Sequence, residues 1–429
     1  MGQEGTIRED PTLGDVAPAG NRPGRLDRRS CMEVRGVRHF LLVVAFALAS
    51  GCGERGAGGA IGDAGREGGW EVLPEAPLSA RHGAHAFSTG ELVLVMGGTD
   101  TDPCPPNADC VPPERPALRD GAAFDAASGT WRRIAEAPVP LGNLTGAVLG
   151  DTLNLWVRGN EFTPGEVPAF LAYNVAEDRW EELPSPPTPE ADLLRLVATD
   201  AAIVAYLGTQ ERRVVPDLLY DPASRTWREL PQDPLAASFD RAMVWTGHEL
   251  ILLAPEDVPQ PGSKGPALYR AAAFDPSSRT WRRLPDSEVT AYDPSWFWAG
   301  GAVVNATLGT SDGGEVNAWG RSYPHGGVFD LVAERWSPLP HPPSQPAPYS
   351  RLSLGGVDAV VSLQGWVLYV PTGKWAPLPR PEGAAHEGEA GVWAGDRVFV
   401  WGGARWDGDE ATLLDDGWIW TPPWSDTGA

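Results

Sequence analysis

Lysine is almost missing from this chain of 429 residues: Lys264 and Lys374 are the only two. The 34 basic residues are outnumbered by 57 Asp and Glu, giving a formal net charge of −23, and no Lys or Arg run offsets it. A surface of that sign repels a phosphate backbone, which excludes nucleic acid as a partner. Cysteine is scarce too, at four residues. There is no CxxC pair and no His cluster, so a zinc site lacks the ligands it needs. No apolar run is long enough to cross a bilayer, which takes about 20 residues in a helix. There is no P-loop, no HExxH, and no GxSxG or GxGxxG in a strand–helix setting, so the usual nucleotide, zinc-protease and hydrolase signatures are missing. No cofactor or metal is expected on these grounds.

What is present is rich in turns and apolar residues. Hydrophobic residues make up 42% of the chain, enough for a large core, which excludes global disorder. The 51 Gly and 43 Pro are close to twice the usual share and predict many turns, without the G-X-Y period of collagen. The 19 Trp are unusual, and their spacing is the main clue to the fold.

The strongest apolar run, 40–49, follows Arg35, Arg38 and His39 and ends in Leu48-Ala49-Ser50-Gly51-Cys52. A short charged stretch, an apolar core and small residues form the pattern of a secretory signal. The ending resembles a bacterial lipobox. That resemblance implies cleavage before Cys52, lipidation of its thiol, and an exported protein tethered to the cell envelope, on the periplasmic face or the cell surface. Residues 1–31 precede a signal that is already complete and read as an untranslated or non-native extension, with Met32 as the start. Residues 32–51 are then the signal, 52–69 a flexible Gly-rich tether, 70–424 the folded domain and 425–429 a tail. Cys104 and Cys110 would lie in an oxidising compartment, where a local disulfide is expected.

A repeat of about 50 residues runs through the domain. The stretch Ala123-Phe-Asp-Ala-Ala-Ser-Gly-Thr-Trp131 matches Leu219-Tyr-Asp-Pro-Ala-Ser-Arg-Thr-Trp227, Ala273-Phe-Asp-Pro-Ser-Ser-Arg-Thr-Trp281 and Val328-Phe-Asp-Leu-Val-Ala-Glu-Arg-Trp336. Weaker copies end at Trp180 and Trp375, the latter read as one residue shorter, and Trp70 is an anchor with nothing before it. Most anchors are followed by Leu-Pro. Each unit reads as four short strands, a to d. The aromatic-Asp-turn-Trp element is the hairpin from c to d, and Leu-Pro ends d.

The pattern resembles the kelch repeat, with the double Gly after strand b kept only at Gly97-Gly98 and Gly402-Gly403. The resemblance covers about 70–424 and implies an all-β, seven-bladed β-propeller. Seven strands d fall at Trp70, Trp131, Trp180, Trp227, Trp281, Trp336 and Trp375. Seven strands c fall near Phe124, Tyr173, Tyr220, Phe274, Phe329, Tyr369 and Trp420. An orphan strand at each end predicts that the N-terminal strand d completes the C-terminal blade, which also removes a sheet edge.

The anchor Trp residues repeat and are read as packing between blades, as are Trp245, Trp298 and Trp393 in strand a. Trp319 and Trp406 do not repeat; they fall in long b–c segments, where an indole packs on its own loop or stacks on a sugar or partner side chain. Those segments are long at 99–119, 255–270, 309–325 and 404–416, and in this family they share a face with the d–a connections. That face is the expected binding surface. It also receives Arg81, Arg195, Arg241 and Arg351, with Asn143 in blade two and His386 and Glu387 in blade seven. Converging guanidiniums would accept a carboxylate or phosphate. The competing reading pairs each Arg with a carboxylate of a neighbouring blade.

His82 and His85 lie three apart and are expected on opposite faces of a strand, not as joint ligands. Asp100, Asp102, Asn107 and Asp109 read as a solvated acidic loop, since their order lacks the EF-hand pattern. Copper-radical oxidases use related propellers but need a Cys–Tyr crosslink that two spaced cysteines do not supply. The reading is a monomeric, membrane-tethered binding module for a protein or glycan partner, not an enzyme. The alternative is an enzyme on an acidic carbohydrate at the channel mouth, like propellers that isomerise sialic acids, using Arg with Glu387 or Glu389.

Overall fold

The repeating hairpin shows how sequence becomes structure. In the computed structural model the aromatic residue of strand c lies directly opposite the anchor Trp of strand d: Phe124 faces Trp131, Tyr220 faces Trp227, and Phe274 faces Trp281. The paired rings sit about 5 Å apart and tilted, a favourable arrangement for such pairs. The Asp that follows caps the turn, its Oδ1 accepting N–H groups two and three residues on, as Asp125 does from Ala127 and Ser128. These bonds hold the turn carboxylates below their ordinary range; Asp275, which also accepts from Ser277 and Ser278, is drawn down to about 2. The residue two before the Trp takes a left-handed φ, as Gly129, Arg225, Arg279 and Glu334 do.

The structure describes residues 68–424, except 91, 106–109, 111–114, 160–162, 164, 189, 211–213, 256–267, 291–294, 310–324, 344–351, 364, 386 and 409. The lipobox, the signal, Cys52 and the tether up to residue 67 lie outside these residues, as do Trp319, Arg351 and His386; Gly69, read as the end of the tether, already belongs to the first strand.

Each repeat forms a four-stranded antiparallel sheet in the order a-b-c-d. Six sheets are continuous in sequence, at 85–134, 144–183, 194–229, 242–283, 297–338 and 354–377. The seventh combines Ala390–Ala394, Arg397–Trp401 and Gly417–Thr421 with the N-terminal strand Gly69–Val72. Trp70 pairs with Trp420 there, so the first strand closes the last blade as the orphan ends predicted. Every innermost strand neighbours that of the next blade, including blade seven with blade one. The fold is a seven-bladed β-propeller. Helix is confined, among the described residues, to one 3-10 turn at Ala191–Leu193.

The core is divided among the seams. Seven apolar clusters each draw on two adjacent blades; one joins Leu94 and Met96 of blade one to Leu153 and Leu171 of blade two. A second device repeats at every seam. The anchor indole N–H donates to the carbonyl that ends strand d of the preceding blade. Trp227 reaches Pro184 at 2.7 Å, Trp281 reaches Pro231 at 2.8 Å, and Trp336 reaches Pro285 at 2.7 Å. Trp131 and Trp375 do the same to Pro74 and Pro340, Trp70 to Pro379, and Trp180 to Ala135, where no Pro is present. The Leu-Pro after six of the seven anchors therefore supplies a core Leu and then an acceptor for the next blade, and Ile134-Ala135 does so after Trp131.

Blade six corrects one alignment. Leu368, not Tyr369, faces Trp375, and Tyr369 pairs with Lys374. Its hairpin is of normal length, with an aliphatic residue in the aromatic place. Blade seven adds a small hairpin, Ala404–Asp407 with Glu410–Leu413, inside its long b–c segment.

Candidate functional site

The b–c segments and d–a connections meet on one face, around the mouth of the central channel. The double glycines make this face possible. Gly97 and Gly98 both have positive φ, and a Cβ on Gly97 would lie 2.1 Å from the Leu141 carbonyl oxygen. Gly403 is equally closed in, with a would-be Cβ 2.5 Å from that of Ala385. No other residue type allows loops to pack so close on the ends of strand b.

Arg81 and Arg241 do not open onto the mouth; each is 1% exposed. Arg81 forms a forked pair with Asp120, at 2.6 and 3.1 Å, and also donates to the Gly97 carbonyl and to Ser79. Arg241 forms the same fork with Asp217, at 3.1 and 2.9 Å, donates to the Leu207 carbonyl, and reaches Asp233 at 3.2 Å. In both, the carboxylate immediately precedes strand c and the carbonyl lies at the end of strand b. Burial pushes the Asp233 carboxyl up, against the pull of Arg241. These arginines fasten loops to blades, so they leave the set of ligand-facing candidates. Asp240, next in sequence to Arg241, is not its partner. Asp120 and Asp217 were not singled out from sequence; an Asp just before strand c was the available signal.

Arg195 is placed differently. It lies exposed on the innermost strand of blade three, between buried Leu194 and Leu196. Its stem folds over Gly208, where a Cβ would sit 2.7 Å from the Arg195 Nε. Asn143 is exposed at the start of blade two, and its Oδ1 accepts from Arg158 Nη1 at 2.8 Å. Arg158 Nη2 donates to the Leu194 carbonyl at 2.8 Å, which ties blade two to the innermost strand of blade three. Arg158 escaped the sequence reading because it ends strand b, where no repeated Arg drew attention.

A cavity of about 320 Å3 lies at the mouth, lined by His85, Phe87, Thr145, Gly146, Leu352 and Glu389 among others. His85 lies 2.6 Å through Nε2 from the Gly142 carbonyl, which can only accept, so Nε2 carries the proton. Burial lowers the His85 pKa, and Arg158 adds to this, so the ring is neutral near pH 7. His82 is lowered by burial as well, against the pull of Thr101, Glu387 and Asp102. Glu387 bridges to Ala404 beside it. The two histidines act in different surroundings, and among the described residues no group of three or more His, Cys, Asp or Glu is arranged to hold a metal. A second crevice, between blades six and seven, is lined by Trp70, Pro379, Arg380 and Trp418 but encloses only about 40 Å3, room for a water or two.

Trp406 sits half-buried on the extra hairpin of blade seven, opposite Ala411. Cys104 and Cys110 are joined by a disulfide in the b–c segment of blade one. Asp100 pairs with Arg115 at 3.3 Å in the same loop, while Asn107 and Asp109 lie outside the described residues. Trp393 donates to the Leu354 carbonyl at 3.1 Å and Trp245 to Asp200 at 2.8 Å, so both join neighbouring blades. No protein-family model matches the chain, and no curated protein matches it.

Proposed function

We propose that this protein is an exported, kelch-like propeller, lipid-anchored through Cys52, that binds a protein or glycan partner on its mouth face. The observation that carries this reading is the contrast on that face. Its irregular parts, the disulfide-closed loop and the extra hairpin, belong to blades one and seven, whose innermost strands help line an open cavity. Two of the arginines that an acid-sugar enzyme would use are instead held in buried ion pairs. A raised carboxyl does occur beside one of them, at Asp233, but it is spent on Arg241. The fifty-residue period, the hairpin motif and the double glycines support the kelch likeness. The local disulfide agrees with export.

A thermal-shift screen of the purified protein against neutral glycans, acidic sugars and acidic peptides tests the reading. A ligand at one hundred times its Kd stabilises by about 2.7 kcal/mol, well within detection. A shift without turnover of the ligand is the expected result. Turnover of a shifting acidic sugar would replace the binding module by the enzyme. Silence across the screen and in pull-downs from envelope extracts would remove both.

A further inference from the structure

Resting on the binding-module reading, we infer that the cavity of about 320 Å3 at the mouth is the seat of one neutral sugar unit, held by His85 and Thr145 against the ring of Phe87. The volume lies at the lower end of the range for small-ligand pockets. Two glycines on innermost strands keep it open. Phe87 lies over Gly146, where a Cβ would sit 2.5 Å from its ring, and Leu352 lies over Gly391, where a Cβ would meet it at 2.9 Å. Neither glycine has a left-handed φ, so close approach and not a turn requires it. A side chain at either place would displace Phe87 or Leu352 from the wall.

The polar groups on the wall have fixed roles. His85 Nε2 donates to the Gly142 carbonyl at 2.6 Å, which leaves Nδ1 of the neutral ring as a lone pair that can only accept. Thr145 Oγ1 accepts the Leu196 N–H at 3.3 Å, and its own proton remains to be given. Neither side chain makes another hydrogen bond among the described residues. An acceptor and a donor beside an aromatic ring match a sugar, whose hydroxyls give and take hydrogen bonds and whose C–H face packs on a ring. Glu389 decides the charge of the ligand. Besides His85 it is the one acidic or basic side chain on the wall, and whatever else it contacts, a carboxylate there disfavours an acidic sugar. The net charge of −23 adds to that repulsion.

Saturation-transfer difference NMR on the purified chain, titrated to give affinities, tests the site. The probes are the methyl glycosides of glucose, galactose and N-acetylglucosamine, against those of glucuronate and galacturonate. At least one neutral glycoside is expected to bind, and the uronates at least tenfold more weakly. His85→Gln keeps an N–H for the Gly142 carbonyl but moves the acceptor, and Thr145→Val keeps the shape and loses the hydroxyl. Each should weaken binding at least fivefold with little change in melting temperature. Trp406→Ala, on the extra hairpin of blade seven, should leave it unchanged. Binding lost in Trp406→Ala but kept in both wall variants would move the sugar to the hairpin and overturn the site, as would equal binding of the uronates. If no sugar binds and a protein partner does, the sugar site falls while the binding module stands; if neither binds, both fall.

Discussion

At each of the seven seams an indole N–H of one blade donates to the carbonyl that ends the previous blade's outer strand; at the mouth the Arg–Asp fork of Arg81 and Arg241 recurs in two blades among the described residues. The same residue types serve both regions. Arg241 at a loop root is enclosed by two carboxylates and two blades, and Arg195, one blade earlier on the innermost strand, is open to solvent. The difference shows where the molecule is constrained. The seams share one solution because each must bury the same kind of apolar face. The mouth is free to differ from blade to blade, so its exceptions carry information about ligands.

The largest effect that separates the two regions is expected from the buried pair. Asp217→Ala leaves the Arg241 guanidinium, 1% exposed, without its forked partner, and breaking such a pair costs about 3–5 kcal/mol. Arg195→Ala, at an exposed position, should stay within about 0.5 kcal/mol of wild type. Urea denaturation of the two variants reads the difference directly. Equal costs would mean that Arg195 is also part of the frame, and the comparison would fail.

A smaller effect tests the seams themselves. Trp281→Phe removes the indole N–H and strands a half-buried Pro231 carbonyl, for a cost of about 1 kcal/mol from the bond in addition to lost ring packing. Trp131→Phe removes an equivalent bond that is exposed to solvent, where water replaces the donor, and should cost less. Identical losses in urea midpoints would show that the ring faces hold the seams and the bonds add nothing.

The frame was legible in sequence because it is periodic. Seven Trp anchors at a spacing of about 50 residues, with one orphan strand at each end, determine blade number and closure, and Trp70 opposite Trp420 agrees with both. Periodicity failed where a residue departed from the pattern: the aromatic Tyr369 drew the alignment one place away from Leu368, the residue that faces Trp375. The acceptor role of Pro184 or Pro231 was hidden, since a backbone carbonyl leaves no mark in the side-chain code. The partners of Arg81 and Arg241 were also hidden. Asp120 and Asp217 lie 39 and 24 residues away, and only the folded blade shows that the position before strand c meets the next loop root. Arg195 read the same as Arg241 in sequence because exposure depends on which side of a strand end a residue leaves.

The smallest expected effect is local and pH-driven, at His325 on the mouth side of blade five. Its Nδ1 accepts the Gly309 N–H at 2.9 Å, so that nitrogen must be unprotonated, and its Nε2 lies 3.3 Å from His341 Nδ1. Burial lowers the His325 pKa, and the second imidazole lowers it further; His341 is the one charged or titratable group that acts on it among the described residues. A histidine with a depressed pKa binds its proton more weakly folded than unfolded. Its contribution is therefore complete above the ordinary value of about 6.5 and declines as the pH falls below it. His82 and His85 carry shifts of the same sign, so overall stability should also fall between pH 7 and 5. At His325 the first consequence is local, because protonation sets an N–H against the Gly309 N–H. Exchange of the Gly309 amide, corrected for intrinsic rate, should accelerate as the pH drops from 7.5 to 5.5. The Gly97 amide, bonded to the Asp120 carbonyl, supplies the reference at a loop root without a histidine acceptor. If the two amides keep the same ratio of protection across that range, the imidazole does not hold the loop, and this part of the mouth belongs with the frame.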